Sequence, residues 1–188
     1  ELPLRDAVEG SFSVKIRAGY DNPEQIFSLL PLFESAGVDF LVLHPRTVIQ
    51  EYTGVANHSI TARVVQGTRL PVIANGDIRS SADGERLLRE TGAAGLMLGR
   101  GAIADPLLFE RLRGRANPLS SQEEQLRELR FYLREMTVRY RELFCGEMQV
   151  LGKLKAIVSQ MDDPGPGKTI KELKKAKTLQ SFEALISS

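Results

Sequence analysis

The stretch from Leu70 to Ile103 constrains the fold of this chain more than any other part, because it contains the same construction twice. Two short apolar runs, at 71–74 and 95–98, are each followed at once by glycine and by amide or charged residues. Apolar runs of this length, separated by a helical stretch, are typical of parallel strands that are covered on both faces. Because ligands bind beyond the carboxyl ends of such strands, the two loops that follow are candidate functional loops.

The loop after the second run has the composition of a phosphate site. Gly99 and Gly101 allow the backbone to approach an anion closely, and Arg100 between them supplies charge-assisted donors. A helix over 105–113, with Asp105 as its N-cap, is expected next. A tight turn with a solvated arginine would have the same sequence, so the motif alone leaves both interpretations open.

Composition sets the broad class of the protein. A chain of 188 residues that is 42% hydrophobic predicts a well-buried core, and its net charge of +1 leaves nucleic-acid binding to local patches. The single cysteine, Cys145, excludes an internal disulfide and a cysteine-based zinc cluster, so no metal site is expected. With no apolar stretch near the roughly 18 residues of a membrane span, and no signal peptide at its start, the chain predicts a soluble cytoplasmic protein.

A strand predicted over 12–17 places two cations on one face. Side chains two residues apart share a face, so Lys15 and Arg17 point one way while Val14 and Ile16 point the other. Two cations on one face of an apolar strand need anionic or polar partners. An edge strand guarded by charge is the alternative interpretation.

A further strand over 40–43 ends at His44. A neutral imidazole in that position can hydrogen-bond a ligand, and a charged one can hold a phosphate. A lone histidine is more often structural, but His44 follows its strand as Asn75 follows the third one, which favours a functional role. His58 opens the next predicted helix and is interpreted as surface or loop structure.

Helices are predicted after each strand, so that consecutive strand-and-helix units with parallel strands span 12–114. Pro31 is expected to kink the first helix or to divide it into two pieces. Ser80 or Ser81 is expected to cap the helix after the third strand, and Gly92 to end it.

The chain changes character after residue 117. A capping box at Ser120 or Ser121 and an apolar stripe at spacings of three and four predict a long amphipathic helix. A second helix, the breaker DDPGPG at 162–167, and two shorter helices follow, with Cys145 at a turn between helices. The lysines of this tail suit a polyanion such as RNA, although a lysine-rich helix is often only a solvated face.

With these motifs in place, the chain resembles the tRNA-dihydrouridine synthases, flavoenzymes that reduce a uridine of tRNA. The resemblance is carried by SVKIRAG at 13–19, LVLHPRT at 41–47, PVIANGDI at 71–78 and LMLGRGAI at 96–103, followed by the helical tail. Their order and spacing are those of the last four strands of the family's eight-stranded barrel and of the helical domain after it. The resemblance implies an α/β fold, with parallel strand-and-helix units forming the second half of a TIM barrel over 1–117, and an all-helical tRNA-binding domain over 118–188.

The resemblance also implies FMN as cofactor, NADPH as its reductant and tRNA as substrate. The matching cofactor positions are Lys15 and His44 beside the flavin, Asn75, Gly76 and Asp77 in the loop beside its phosphate, and Gly99 and Arg100 in the phosphate clamp. In this family the flavin's hydride passes to the uracil ring while a cysteine acid protonates the neighbouring carbon. Candidate RNA contacts are Arg17, Arg46, Lys171, Lys174 and Lys175.

The sequence departs from the family pattern in two ways. The family's first four strands, including the loop with the acidic cysteine, are absent from these residues, so the catalytic residue is unknown. Pro45 stands where the family usually has glycine. Since four strands cannot close a barrel of eight, we expect the chain to be the carboxyl-terminal part of a longer protein, or to pair with a separate amino-terminal half-barrel or a second copy.

Two other functions stay open at this point. An FMN barrel oxidoreductase that acts on a free pyrimidine would share the strand motifs but would have no need of the lysine-rich tail. A non-catalytic RNA-binding or scaffolding fragment is favoured by the absent cysteine loop, whereas the retained Lys15, His44 and Arg100 argue against it.

Overall fold

The computed structural model of the chain describes residues 5–117, 121–161 and 168–187. Its contacts divide the chain into two compact units, Glu1–Gly99 and Arg100–Ser188. Within the described residues, we find no helix with the length and hydropathy of a membrane span.

The first unit is a parallel sheet with helices between its strands. The strands lie in chain order as β1 (Ser13–Arg17), β2 (Phe40–His44), β3 (Val72–Asn75) and β4 (Gly95–Met97). The connecting helices are α1 (Gln25–Ser35), α2 (His58–Gly67) and α3 (Ser81–Thr91). All neighbouring strands pair in parallel, which confirms the predicted strand-and-helix units.

One face of the sheet is apolar and packs against helices. Its core residues are Leu41, Leu43 and Val72 from the strands, Ile26 and Leu30 from α1, and Ile60 and Val64 from α2. Val14 and Ile16 also pack against this core, as predicted, so Lys15 and Arg17 lie on the opposite face. Each fully buried aliphatic side chain contributes about 1.5–3 kcal/mol to folding.

Two helix ends follow the sequence signals closely. The Ser80 hydroxyl accepts a hydrogen bond from the Asp83 amide, and the Asp83 carboxylate accepts one from the Ser80 amide, which completes a capping box. Gly92 ends α3 in the left-handed conformation at φ 68°. Of the two outcomes expected at Pro31, division of α1 into two pieces is wrong, because α1 is one continuous helix with Ile26 and Leu30 buried along it, and the kink stays a prediction.

The second unit is helical throughout its described residues. Its helices are α4 (Arg100–Ala104), α5 (Leu108–Leu112), α6 (Gln122–Leu143), α7 (Glu147–Ser159), α8 (Thr169–Lys175) and α9 (Leu179–Ser187). The helix expected over 105–113 is present but shorter, as α5, and α4, which precedes the turn at Asp105, was not predicted. The Asp105 carboxylate accepts hydrogen bonds from the Leu107 amide, two residues later, and from Nε of Arg111.

The core of the second unit is built from the apolar stripes of its helices. Its most buried members include Leu133, Leu154, Leu173 and Phe182, each with no exposed surface. Ala104 of α4 packs against this core, so the compact units divide after Gly99, earlier than the expected boundary after residue 117. The different roles expected for 1–117 and 118–188 stay a prediction.

Other features of the tail follow the sequence. Ser121 caps α6 by accepting a hydrogen bond from the Glu124 amide at 3.2 Å. Cys145 is exposed in the turn between α6 and α7, as predicted. Ser120 and the breaker at 162–167 lie outside the described residues.

Candidate functional site

The register of the sheet gathers polar side chains at the carboxyl end of the face that points away from the helices. Arg17 lies beside His44, and Asn75 lies beside Met97. Because Leu43 pairs with Ala74, His44 and Asn75 are also neighbours in this last row. Parallel strands place ligand-binding groups at this end. Arg17, His44 and Asn75, which we call the polar row, are therefore the centre of the candidate site.

Lys15 lies on the same face, one step further into the sheet, where it pairs with Val42. Its side chain is exposed and does not belong to the hydrophobic core of the first unit. β1 is also an edge of the described sheet, so charge protection of that edge agrees with the position of Lys15 as well.

His44 is held as a neutral ring. The side chain is 6% exposed, and Nη1 of Arg46 lies 3.2 Å from its Nε2. A guanidinium can only donate, so we assign the acceptor role to Nε2 and the ring proton to Nδ1. Burial, followed by the charges of Arg17, Arg46 and Lys15, lowers the pKa of His44 to about 4 against a smaller opposing effect of Asp77. Near pH 7 the ring is therefore a hydrogen-bonding group, not a cation.

Arg46 is 2% exposed and connects the loops after β2 and β3. Its Nη2 donates to the Gly54 carbonyl at 2.6 Å and to the Asp77 carboxylate at 2.7 Å. The same carboxylate oxygen accepts a hydrogen bond from the Ala56 amide at 2.7 Å. We call the side chains of Arg46, His44 and Asp77, with the Gly54 carbonyl, the Arg46 network. The predicted contact of Arg46 with RNA stays a prediction.

The loop after β3 has a conformation that requires glycine. Gly76 has φ 121°, and a Cβ at this position would lie 2.8 Å from Cδ2 of His44. Asp77 follows with φ 53°, a left-handed conformation that aspartate tolerates better than most residues. The backbone at residue 76 is thus packed directly on the His44 ring.

His58 is partly buried and contacts the loop after β3, which agrees with its interpretation as surface or loop structure. Its Nε2 lies 3.1 Å from the Gly76 carbonyl oxygen, which can only accept, and its Nδ1 lies 3.2 Å from the Thr61 hydroxyl. The ring therefore carries its proton on Nε2 and accepts from Thr61. Burial is the main cause that lowers the pKa of His58. No sequence signal predicted the contact with Gly76, because the pattern showed only that His58 begins a helix.

Arg17 holds the loop after β2. Its Nη1 donates to the carbonyls of Thr47 at 2.7 Å and Glu51 at 3.1 Å, and its guanidinium lies 5.7 Å from the Tyr52 ring centroid. These contacts span about 30 residues of sequence and were not predicted. The expected RNA contact of Arg17 stays a prediction.

The remaining candidate cofactor residues are near β4. Nδ2 of Asn75 donates to the Met97 carbonyl at 2.7 Å, which leaves its side-chain oxygen as an acceptor. Gly99 has no described atom within 4 Å of the place a Cβ would take, so packing does not require glycine there. Arg100 is exposed and begins α4 in the second unit.

The candidate RNA-binding lysines form one side of α8. Ile170 and Leu173 are buried on the other side, so this predicted short helix is amphipathic. We call the exposed side chains of Lys171, Lys174 and Lys175 the lysine surface. Nζ of Lys174 also donates to the Met161 carbonyl at 3.2 Å.

Several known proteins that are similar to this chain carry the name tRNA-dihydrouridine synthase. The chain is 38% identical over 108 residues to a probable tRNA-dihydrouridine synthase of Rickettsia conorii, a match that covers 57% of this chain and 33% of the relative. It is 34% identical over 140 residues to tRNA-dihydrouridine synthase B of Pseudomonas syringae, covering 71% and 42%. It is 34% identical over 141 residues to the tRNA-dihydrouridine(16) synthase of Cupriavidus necator, covering 72% and 44%.

The chain thus spans less than half the length of these curated relatives. The sequence profile of the dihydrouridine synthase family matches residues 3–176, which is most of the 188 residues. The match includes all four strands and the loops that carry the polar row. The chain belongs to the dihydrouridine synthase family.

Proposed function

We propose that this chain is the FMN- and RNA-binding part of a tRNA-dihydrouridine synthase that reduces uridine in tRNA with NADPH as reductant. The observation that carries the proposal is the row of Arg17, His44 and Asn75, with Lys15 beside it, at the carboxyl end of a parallel sheet. Family membership supports this assignment, and the polar row supplies the chemistry that a cofactor at this edge requires.

The donors present fit a flavin. An isoalloxazine ring carries carbonyl oxygens and ring nitrogens that accept hydrogen bonds, and the Lys15 ammonium and the neutral His44 ring can both donate to them. Lys15 and His44 would hold the ring, and the loop of Asn75, Gly76 and Asp77 would lie beside the phosphate. When bound, FMN supplies hydride transfer to the substrate ring.

The phosphate would be held by Gly99 and Arg100. A glycine that packing does not require leaves room for close approach of an anion, and a guanidinium supplies a charge-assisted contact. The Asp77 carboxylate binds Arg46 and the Ala56 amide, so Asp77 contributes by holding the shape of its loop. We assign proton transfer to the substrate to no residue of this chain. The remaining part of the barrel would supply the proton donor.

The lysine surface favours RNA as the substrate over a free pyrimidine. Its exposed ammonium groups match the sequence-independent phosphate contacts of RNA-binding proteins. A uridine inside folded RNA must be turned out of its stack to reach a flavin, at a cost of a few kcal/mol, and phosphate contacts can offset that cost.

The test is the flavin spectrum of the purified full-length protein. The expected result is a yellow protein that releases FMN on denaturation and converts uridine to dihydrouridine in tRNA. A colourless protein that does not take up added FMN would overturn the proposal.

The Lys15→Ala variant tests the role of the polar row. We expect it to slow reduction of the bound flavin or of its substrate more than it weakens FMN binding, because Lys15 lies beside the ring and not at the phosphate. Thr61→Ser, which keeps its hydroxyl, is the control. A larger effect of Lys15→Ala on FMN affinity than on reduction would show that the assigned roles of Lys15 and Arg100 are exchanged.

A further inference from the structure

We propose that Arg46 is a positioning residue that fixes the tautomer of His44, so that the buried ring presents Nδ1–H as a donor to its ligand. The identification of this ligand as FMN rests on the proposed function. The tautomer itself follows from the contacts of the first unit alone.

The first step is the direction of the hydrogen bond between the two side chains. All hydrogen-bonding atoms of a guanidinium are donors, so the 3.2 Å contact from Nη1 of Arg46 requires an unprotonated Nε2 on His44. A neutral imidazole carries one proton, which then resides on Nδ1. That Nδ1–H group has no hydrogen-bond partner among the described residues, and it is not fully buried, so it is open to a ligand or to water. An unpaired donor at the polar end of the sheet is suited to a ligand that accepts hydrogen bonds.

The second step is that Arg46 has no freedom to turn away. Its Nη2 is fixed by the Gly54 carbonyl and the Asp77 carboxylate, while Nη1 faces His44. A guanidinium offers these donors from a rigid planar fork, whereas a lysine ammonium is a single point that cannot reach acceptors at this spacing together. The side chain is 2% exposed, so water does not compete for the contact.

The third step is that the His44 ring has little free space on the side that faces Gly76. The Gly76 backbone lies against its Cδ2 atom so closely that a Cβ would be 2.8 Å away. The Gly76 carbonyl is in turn held by Nε2 of His58 at 3.1 Å. The two histidines of the chain thus have opposite tautomers and lie on the two sides of one glycine.

Nitrogen NMR of the imidazole rings in the full-length protein, without added flavin, tests the inference. In the wild type we expect the His44 proton on Nδ1 and the His58 proton on Nε2, with each ring assigned by its loss in His44→Gln or His58→Gln. A His44 ring that carries its proton on Nε2 would overturn the inference. This measurement needs no variant of Arg46 and so does not depend on how such a variant folds.

Arg46→Lys then tests the cause. We expect the His44 pattern to change to a mixture of tautomers while the His58 pattern stays that of the wild type. The matched control is Arg63→Lys, since Arg63 pairs with Glu24 on the surface, with 51% and 52% of the two side chains exposed. An Arg46→Lys protein with the wild-type His44 pattern would overturn the inference.

FMN titration of the same variants tests the ligand. Arg46→Lys should weaken FMN binding about two- to tenfold, the value of one hydrogen bond, and Arg63→Lys should leave it unchanged. His44→Gln should bind FMN more tightly than His44→Ala, because a glutamine retains an acceptor for Arg46 and a donor for the ligand. Equal FMN affinity of Arg46→Lys and wild type would overturn the ligand assignment. If the wild type takes up no FMN, the proposed function fails, while the NMR result still decides the tautomer.

Discussion

The Arg46 network and the lysine surface both depend on cationic side chains, but they differ in burial and in how their charges are satisfied. Arg46 is 2% exposed and donates to a carboxylate, a carbonyl and an imidazole within the same fold. The lysine surface lies on the exposed side of α8, above buried Ile170 and Leu173. A buried cation is held in one geometry and shapes its neighbours, whereas an exposed cation interacts with external anions and is screened by salt.

The largest effect should come from removing the buried charge. Arg46→Met should lower the free energy of unfolding by about 2–3 kcal/mol, somewhat less than for a fully buried pair because the Asp77 side chain is 30% exposed. Urea unfolding measures this change. Arg63→Met, in an exposed pair, should cost less than about 1 kcal/mol. Similar losses in the two variants would show that burial of the Arg46 network adds nothing to its strength.

Arg100→Ala should weaken FMN binding in the full-length protein. Loss of a charge-assisted contact with the phosphate costs about 1.5–3 kcal/mol, which corresponds to roughly a ten- to hundredfold rise in the dissociation constant. Titration of the apoprotein measures it, with Arg113→Ala as an exposed control on the same unit. An unchanged dissociation constant would assign Arg100 to the solvated surface.

Acid should destabilise the first unit through its histidines. The pKa of His44 is about 4 in the folded protein and near 6.5 when unfolded, so the unfolded chain binds more protons between these values. Stability therefore rises as the pH increases from about 4 to 6.5 and falls in the opposite direction. This shift of the His44 pKa corresponds to about 3 kcal/mol of stability, which is lost as the pH falls from about 6.5 to 4. Unfolding of His44→Gln across this range should show a smaller pH dependence, and an unaltered slope would contradict it.

Gly76→Ala should be more harmful than Gly54→Ala. Both glycines have positive φ, 121° and 65°, but only at residue 76 would a Cβ meet described atoms, at 2.8 Å from His44. The difference should be about 1–2 kcal/mol in the free energy of unfolding, because overpacking adds to the backbone strain. Equal losses would mean that the His44 ring can move aside, which would weaken the link between the loop and the ring.

The smallest effect per residue should come from the lysine surface. Changing Lys171, Lys174 and Lys175 together to Ala should lower tRNA affinity and flatten the plot of log affinity against log salt by about 0.7 per lost phosphate contact. FMN affinity should stay the same. Titrations of tRNA at several salt concentrations, beside a flavin titration, measure both. An unaltered salt slope would show that these lysines are solvated charges that do not contact RNA.

The sequence predicted the elements that depend on local patterns. The strands, the capping box at Ser80 and the left-handed end at Gly92 follow from alternation, hydroxyl capping and the conformational freedom of glycine. Opposite faces for Lys15 and Val14 follow from the two-residue period of a strand. These features require no knowledge of distant neighbours.

What the sequence did not predict depends on contacts between distant residues. Arg46 and Asp77 are 31 residues apart, and His58 reaches a carbonyl 18 residues away, so neither contact produces a periodic signal. The helix over 105–113 was predicted too long, and the contact between the Asp105 carboxylate and Arg111, six residues later, gave no sequence signal. Once buried, such residues form hydrogen bonds within the protein instead of lying on its surface, and the whole fold determines which residues are buried.

The loop between β2 and α2 has one more consequence for how the protein moves. Its residues from 45 to 57 form no strand or helix, and side chains from other segments hold its backbone: Arg17 binds two of its carbonyls and Asp77 binds the Ala56 amide. Segments tied in this way open locally, without unfolding of the sheet. The Ala56 amide therefore exchanges its hydrogen with solvent when the Asp77 carboxylate releases it, and its exchange rate reports how often this end of the loop opens.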